Sequence, residues 1–245
     1  MIRRSTRLLI ILVAFVAPVC IGSAMAQSAV SLPAPGDIYV GIGLGGFFPE
    51  NTSFRATGTL QGIPLAASGT LRFRPGPGVS LFASYSVNDH LGISTQAGYS
   101  HNFIDRFEGN FTVPPLGTFA TSSSVKGDVS TGIFLLNGIV TPFGTRHSFV
   151  PIVGGGIGFA VSKASLQSTT VLGTPLPIGT VSSAVGLALD IVAGLEYRFT
   201  QSDNIGIIYQ LIRIAPSDLG SGGGLNARTG AQYSHTIGLL LEHRF

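Results

Sequence analysis

The chain has 245 residues, of which 10% are charged and 34 are glycine, against about a quarter charged in an average soluble domain. Sparse charge, abundant glycine and no apolar run long enough for a bilayer-spanning helix of about 20 residues argue against both an ordinary soluble domain and a helical membrane protein. The formal charge of +3 points to no nucleic-acid partner: Arg3, Arg4 and Arg7 account for it, and the rest of the chain carries as many basic as acidic residues.

Those arginines open a secretory leader. They form a basic n-region, Leu8 to Val19 an apolar run, and Ala24, Met25 and Ala26 a small-x-small cleavage site before Gln27. Residues 1–26 are expected to be removed, 27–36 to form a short N-terminal segment, and 37–245 to form the folded domain. Cys20, the one cysteine, follows Ala17, Pro18 and Val19, a poor lipidation context; its loss with the leader leaves no disulfide.

Downstream, a period of two recurs. Ile38, Val40, Ile42 and Leu44 alternate with Tyr39 and glycines in a first expected strand. Val79, Leu81, Ala83, Tyr85 and Val87 share a face of the second. Across Asn88 and Asp89, the third sets Leu91, Ile93, Thr95, Ala97 and Tyr99 opposite Gly92, Ser94, Gln96, Gly98 and Ser100. The fourth, Val129 to Val140, is apolar on both faces at Phe134, Leu135 and Leu136, which leaves its orientation open. After Pro142, Phe143 and Gly144 comes the fifth, with Val153, Ile157 and Phe159 opposing Gly154, Gly156, Gly158 and Ala160. The sixth carries Val185, Leu187, Leu189, Ile191, Ala193, Leu195, Tyr197 and Phe199 on one face, a run too long for a soluble strand of about 5–6 residues but suited to a tilted membrane strand of about 9–11. The seventh has Ile205, Ile207, Tyr209 and Leu211 outward against Gly206, Ile208 and Gln210. The eighth ends the chain, with Tyr233, His235, Ile237, Leu239, Leu241, His243 and Phe245 outward.

Long gaps follow the odd strands (48–78, 104–128, 162–183, 215–230) and short ones follow the even strands. Transmembrane barrels have long external loops and short periplasmic turns, so both ends of the barrel fall on the periplasmic side. Three long gaps are rich in Thr and Ser and fold back over Gly/Pro turns, as extended hairpins above the membrane would. Counting them as spans gives ten strands; they lack a sustained apolar face, which favours eight. The expected fold is all-β, an eight-stranded antiparallel transmembrane up-and-down β-barrel, closed so that no strand edge meets hydrocarbon. A soluble ligand-binding barrel would reverse every strand; the leader and the few polar residues on the apolar faces favour the membrane. Aromatic girdles are expected from Tyr85, Tyr197, Phe199 and Phe245 on the periplasmic side and from Tyr99, Phe103, Phe159 and Tyr233 on the external side.

Phe134 to Gly138, Pro151 to Ala160 and the last strand ending in Phe245 carry a family likeness. On them the chain resembles the eight-stranded OmpA/OmpX-like outer-membrane β-barrel family of small porin-like surface proteins. The resemblance implies residence in the outer membrane of a Gram-negative bacterium, among its lipids and lipopolysaccharide. It also implies that the barrel assembly machinery reads the closing strand, through Ile237, Leu239, Leu241 and Phe245. OmpA itself continues into a peptidoglycan-binding domain; this chain stops at its last strand, so cell-wall tethering is not expected.

Eight strands enclose a lumen that side chains fill. Asp190, Glu196, Arg198, Gln210, Glu242 and Arg244 point into it and are expected to neutralise one another across strands. The role this suggests is structural: a monomer supporting membrane integrity and displaying loops that could bind a host or surface ligand. A narrow channel for small solutes is the alternative. A lipid-A-modifying enzyme is a remoter one, because Ser234 and His235 are adjacent in a strand and face opposite sides. His90, His101 and His147 have no Ser–acid constellation in the sequence around them. Gly154, Gly155 and Gly156 precede no helix and form no phosphate loop, and no Cys/His/acid cluster has metal-ligand spacing. No cofactor, metal or catalytic residue is therefore expected.

Overall fold

The computed structural model describes residues 35–245 apart from 61, 115, 146, 172, 173, 223 and 224. The leader, its cleavage site at Ala24, Ala26 and Gln27, and Cys20 lie outside the described residues. No helix among those residues is long and apolar enough to cross a membrane, and strands make up nearly all of the described chain.

Eight strands close a ring. They are β1 (Ile38–Pro49), β4 (Gly76–Ser86), β5 (Leu91–Val113), β6 (Gly117–Val140), β7 (Phe149–Val171), β8 (Thr174–Arg198), β9 (Asp203–Ile214) and β12 (Gln232–Arg244). Each pairs antiparallel with the next in that order, and β12 pairs back onto β1 through partners such as Ile42 and Leu241. Closure leaves no edge in the ring with unpaired backbone groups facing lipid. Side-chain oxygens set the short turns: Asn88 Oδ1 accepts from the backbone N–H of His90 and Leu91 at 2.8 and 3.0 Å, and Thr200 Oγ1 accepts from Ser202 and Asp203 at 3.1 and 2.9 Å. Such Asx and Thr turns are why these short polar links reverse the chain.

Four strands are far longer than a crossing requires. β5 to β8 run 23 to 25 residues, about twice the 9–11 that a tilted strand needs. Their outer halves join four short strands, β2 (Thr52–Leu60), β3 (Ile63–Arg74), β10 (Ser217–Gly222) and β11 (Leu225–Thr229), in a second tier. There β3 pairs with β5, β2 with β3, β11 with β2 and β10 with β11, while β10 lies beside β8. The long gaps of the sequence are thus β-structure continuing the barrel wall outward. Register shifts at Arg72/Phe73, Ile104/Arg106 and Lys126/Gly127 mark bulges that re-aim the strands where the tier begins.

The tier is separable from the ring by topology. Phe47 of β1 faces Gly76 of β4, and Ile214 of β9 faces Gln232 of β12. The chain therefore leaves the ring and re-enters it at neighbouring points.

The outward rows are exposed along their length: Ile38, Val40, Ile42 and Leu44 on β1; Val185, Leu187, Leu189 and Ile191 on β8; Ile237, Leu239 and Leu241 on β12. The two-faced stretch of β6 resolves with Phe134 and Leu136 outward and Leu135 buried within. The inward face departs from the small or polar character read from β1 and β5. Three apolar clusters lie inside: Val150, Ile152, Ile208 and Leu240; Phe47, Ile133, Leu135, Ala160, Ala188, Ile212 and Ile214; and, in the outer tier, Phe54, Ala56, Ala67, Leu71, Ile104, Phe107, Val125 and Ala184. An eight-stranded ring is too narrow for a column of water, so its interior is packed as a core is. Glycines on β7 make the room. A Cβ on Gly158 would meet the Phe134 carbonyl and one on Gly154 the Gly138 carbonyl, so the bulk of β6 and β8 occupies the space β7 leaves.

Candidate functional site

The lumen is the candidate site, and it is layered. At the mouth opposite the tier Arg198 donates to the Thr145 carbonyl, Arg244 Nη1 lies 3.3 Å from Asp37 Oδ2, and Glu242 is the cross-strand partner of Asn204. Glu196 shares this wall. Arg198, Asn204, Glu196 and Glu242, with Asn137, Gln96 and Gln210 above them, line a cavity of about 100 Å³, room for several waters.

Above the cavity the lumen is crossed. In the ring β5 and β9 stand opposite each other, four strands apart in either direction. Gln210 of β9 and Gln96 of β5 reach across and exchange amide hydrogen bonds, Gln210 Nε2 to Gln96 Oε1 at 2.8 Å and Gln96 Nε2 to Gln210 Oε1 at 3.2 Å. Gln210 Nε2 also donates to Asp190 Oδ2 at 2.6 Å, and Gln96 Nε2 reaches Ser80 Oγ at 3.3 Å. Both glutamines are almost wholly buried. The apolar belt of Phe47, Ile133, Leu135, Ala188 and Ile212 lies immediately outward of this bridge. Beyond it is a smaller cavity of about 40 Å³ bordered by Ser100, Asn102 and Thr131, and then the apolar core of the tier. A hydrated ion entering from this mouth meets a hydrogen-bonded bar and then packed apolar side chains.

Of the six inward residues named from the sequence, Asp190 and Gln210 meet in the crossing layer, whereas Arg198, Arg244, Glu196 and Glu242 occupy the mouth. Their partners were not legible: Gln96 reaches Gln210 only because the ring closes, whereas Asn204 lies beside Arg198 and Glu242, and Asn137 is separated from Asp190 only by Gly156, across neighbouring strands. The signal available was an amide at an inward strand position, which is costly to bury unpaired. In the closing strand Ile237, Leu239 and Leu241 face outward, and Phe245 stacks edge-on to His243 at 4.8 Å while its N–H donates to the Ile38 carbonyl.

The outer surface holds a hydrogen-bonded chain that sequence reasoning missed. The Tyr209 hydroxyl lies 2.7 Å from His235 Nδ1, and His235 Nε2 lies 2.9 Å from Glu50 Oε1; with Nε2 protonated, Tyr209 donates to the ring and the ring to the carboxylate. Ser234, on the opposite face, borders the inner cavity. Both ring nitrogens are thus occupied by groups that pin β9, β12 and the end of β1 together, and the adjacent serine is out of reach. His90 Nδ1 faces the Thr141 carbonyl at 3.0 Å, and His101 Nδ1 faces Ser130 Oγ at 3.0 Å.

The tier carries alternating charge. Arg72 pairs with Glu108 at 2.7 Å, Arg74 with Asp105 at 2.6 Å, and Arg106 with Asp105 at 3.4 Å. The hydrogen bond from Arg74, with the positive charge of Arg74 and Arg106, holds the Asp105 carboxyl below the ordinary carboxylate range. Among the described residues no three His, Cys, Asp or Glu side chains gather as a metal cluster.

A family profile described as "Outer membrane protein beta-barrel domain" matches residues 14–244. No curated protein matches in sequence. Among solved structures, the outer membrane protein OprG from Pseudomonas aeruginosa superposes with a TM-score of 0.52 at 14% identity, covering 86% of this chain and 97% of that one. The outer membrane protein AlkL, solved in lipid bilayers, gives 0.50 at 15% identity, over 91% of this chain and 96% of that one. These identities speak to the fold alone.

Proposed function

Because the chain belongs to the outer membrane β-barrel domain family and so resides in the outer membrane of a Gram-negative bacterium, we propose that it is a closed scaffold whose task is to hold its outer tier at the cell surface. The observation that carries this reading is the Gln96–Gln210 bridge between opposite walls of the ring, backed by the apolar belt outward of it. A lumen blocked twice serves stability, and the surface available for recognition is then the tier with its paired arginines and acids. A host or surface ligand would meet that tier, lipids and lipopolysaccharide the outward rows, and the assembly machinery the row from Ile237 to Phe245. Catalysis has no support in the His235 geometry, where no nucleophile meets the base.

The test uses the separability of the tier. Replacing β2 and β3 by a tight turn between Pro49 and Gly76, and β10 and β11 by one between Ile214 and Gln232, removes half the tier and leaves all eight ring strands. The shortened protein should insert, leave envelope permeability to small solutes unchanged, and lose surface binding of cells or matrix. Permeability that changes with the tier, with surface binding intact, would contradict the scaffold reading.

A further inference from the structure

Two side-chain oxygens of the lumen wall that have no hydrogen-bond donor converge on one position. Asn137 of β6 and Asp190 of β8 are the cross-strand partners of Gly156 on β7, one on each side, and all three sit on the inward face. Because Gly156 has no side chain, its neighbours lean into the gap. A Cβ placed there would lie 2.6 Å from Asp190 Oδ1 and 2.7 Å from the Leu136 carbonyl oxygen, and closer still to Asn137 Oδ1. Asn137 is 4% exposed and Asp190 6%. Asn137 Oδ1 and Asp190 Oδ1 are both buried without a hydrogen-bond partner.

Two acceptors converging on one point repel each other unless something positive lies between them. The requirement is stronger for Asp190, a carboxylate at membrane depth whose hydrogen-bond donor, the Gln210 amide, is neutral. A water could donate to both oxygens but would leave the charge uncompensated. A cation meets both needs. The donors are hard oxygens, one carboxylate and two carbonyl-type, which suit an alkali or alkaline-earth ion, and a single negative charge balances a monovalent one. Access is from the periplasm: Asn137 borders the cavity of the mouth, whose wall includes Glu196 and Glu242, and waters there can complete the coordination.

We propose that Asp190, Asn137 and the Leu136 carbonyl form a binding site for a small monovalent cation of about the size of sodium, loaded from the periplasmic side. The site is blind. The Gln96–Gln210 bridge and the apolar belt stand between it and the exterior, so the ion stabilises the barrel and is not conducted.

The experiment is thermal unfolding of the refolded protein in detergent, in sodium chloride and in N-methyl-D-glucamine chloride at equal ionic strength, with sodium-23 NMR line width as a second readout. The organic cation is too large for the cradle. The wild-type midpoint should rise with sodium and not with N-methyl-D-glucamine, as linkage requires of a ligand bound by the folded state alone. Asp190→Asn should abolish the sodium-specific rise and the line broadening. It should also be at least as stable as wild type without sodium, since the neutral amide can donate to Asn137 Oδ1. Gly156→Ala fills the cradle; if it does not fold, Asn137→Ala reports the same loss. Equal midpoints in the two salts for wild type, a sodium-specific rise surviving in Asp190→Asn, or an Asp190→Asn variant clearly less stable than wild type without sodium would each overturn the site.

Discussion

Replacing Ile191 by arginine distinguishes a wall facing hydrocarbon from one facing water. Ile191 lies on the outward face of β8, is 63% exposed, and pairs with Gly155 and Leu211, about midway between the Tyr197 end of the span and the bulged base of the tier. If water covered this face, an exposed Ile→Arg change away from any special contact would alter stability by no more than about 0.5 kcal/mol. If lipid covers it, the same change places a guanidinium near the bilayer midplane and costs about 2–4 kcal/mol. The two expectations differ by a factor of several, well outside the error of a reversible denaturant titration in lipid vesicles. Ile207→Arg on β9, at 61% exposure, serves as an independent repeat. A loss below about 0.5 kcal/mol at both positions would mean that the outward rows are not in hydrocarbon, and the reasoning from exposed apolar rows would fail.

Three further outcomes concern the interior and the tier. Gln210→Ala leaves Gln96 and Asp190 without their shared partner, and vesicle unfolding should show a loss of about 1.5–3 kcal/mol, the range for a hydrogen bond to a charged group; a loss no greater than that of a surface alanine would show that the bridge is not formed. Ala188→Ser inserts a hydroxyl into an apolar belt at a residue with 0% exposure, and should cost about 1–3 kcal/mol in the same assay if the hydroxyl finds no acceptor; a neutral effect would indicate a wetter lumen. The Asp105 carboxyl, held below its usual value of 3.8 by Arg74, should titrate below that value by carbon-13 NMR and move back up in Arg74→Gln. Because its folded-state value is depressed, its contribution to pinning β3 on β5 is complete above about pH 4 and is lost as pH falls through the folded-state value. An unchanged midpoint in Arg74→Gln would refute the pairing.

The outward half of this fold was legible because lipid imposes a strict period of two. Val185 to Phe199 could be placed residue by residue, and the Asn88 turn announced its hairpin. The inward half obeys a different constraint. Ile208, Ile212, Leu240 and Leu135 point inside a ring too narrow for water; alternation with Ile207 and Tyr209 places Ile208 inward, whereas Phe134, Leu135 and Leu136 on β6 are apolar on both faces and can be oriented only once the ring is closed. The same closure joins Gln96 to Gln210 and Glu50 to His235, pairs distant in the chain whose only local signal is a polar side chain in a strand. The tier was legible only as three extended hairpins above the membrane, without their pairing. Standing in water with Phe54, Leu71 and Phe107 turned inward and Thr and Ser turned outward, it shows neither a lipid row nor a long apolar run, so the sequence does not reveal that these hairpins continue the wall of the ring.

The closed state of the barrel rests most on the lumen being a packed core crossed by Gln96 and Gln210. Single-channel recording of the purified protein in planar bilayers addresses this directly, with Gln96→Ala/Gln210→Ala/Ile212→Ala as the comparison. The wild-type protein should give no reproducible conductance, and the triple variant, with the bar and part of the belt removed, should give small unitary currents or rare openings. Stable, uniform conductance from the wild-type monomer would contradict the closed lumen, and with it the scaffold built upon it.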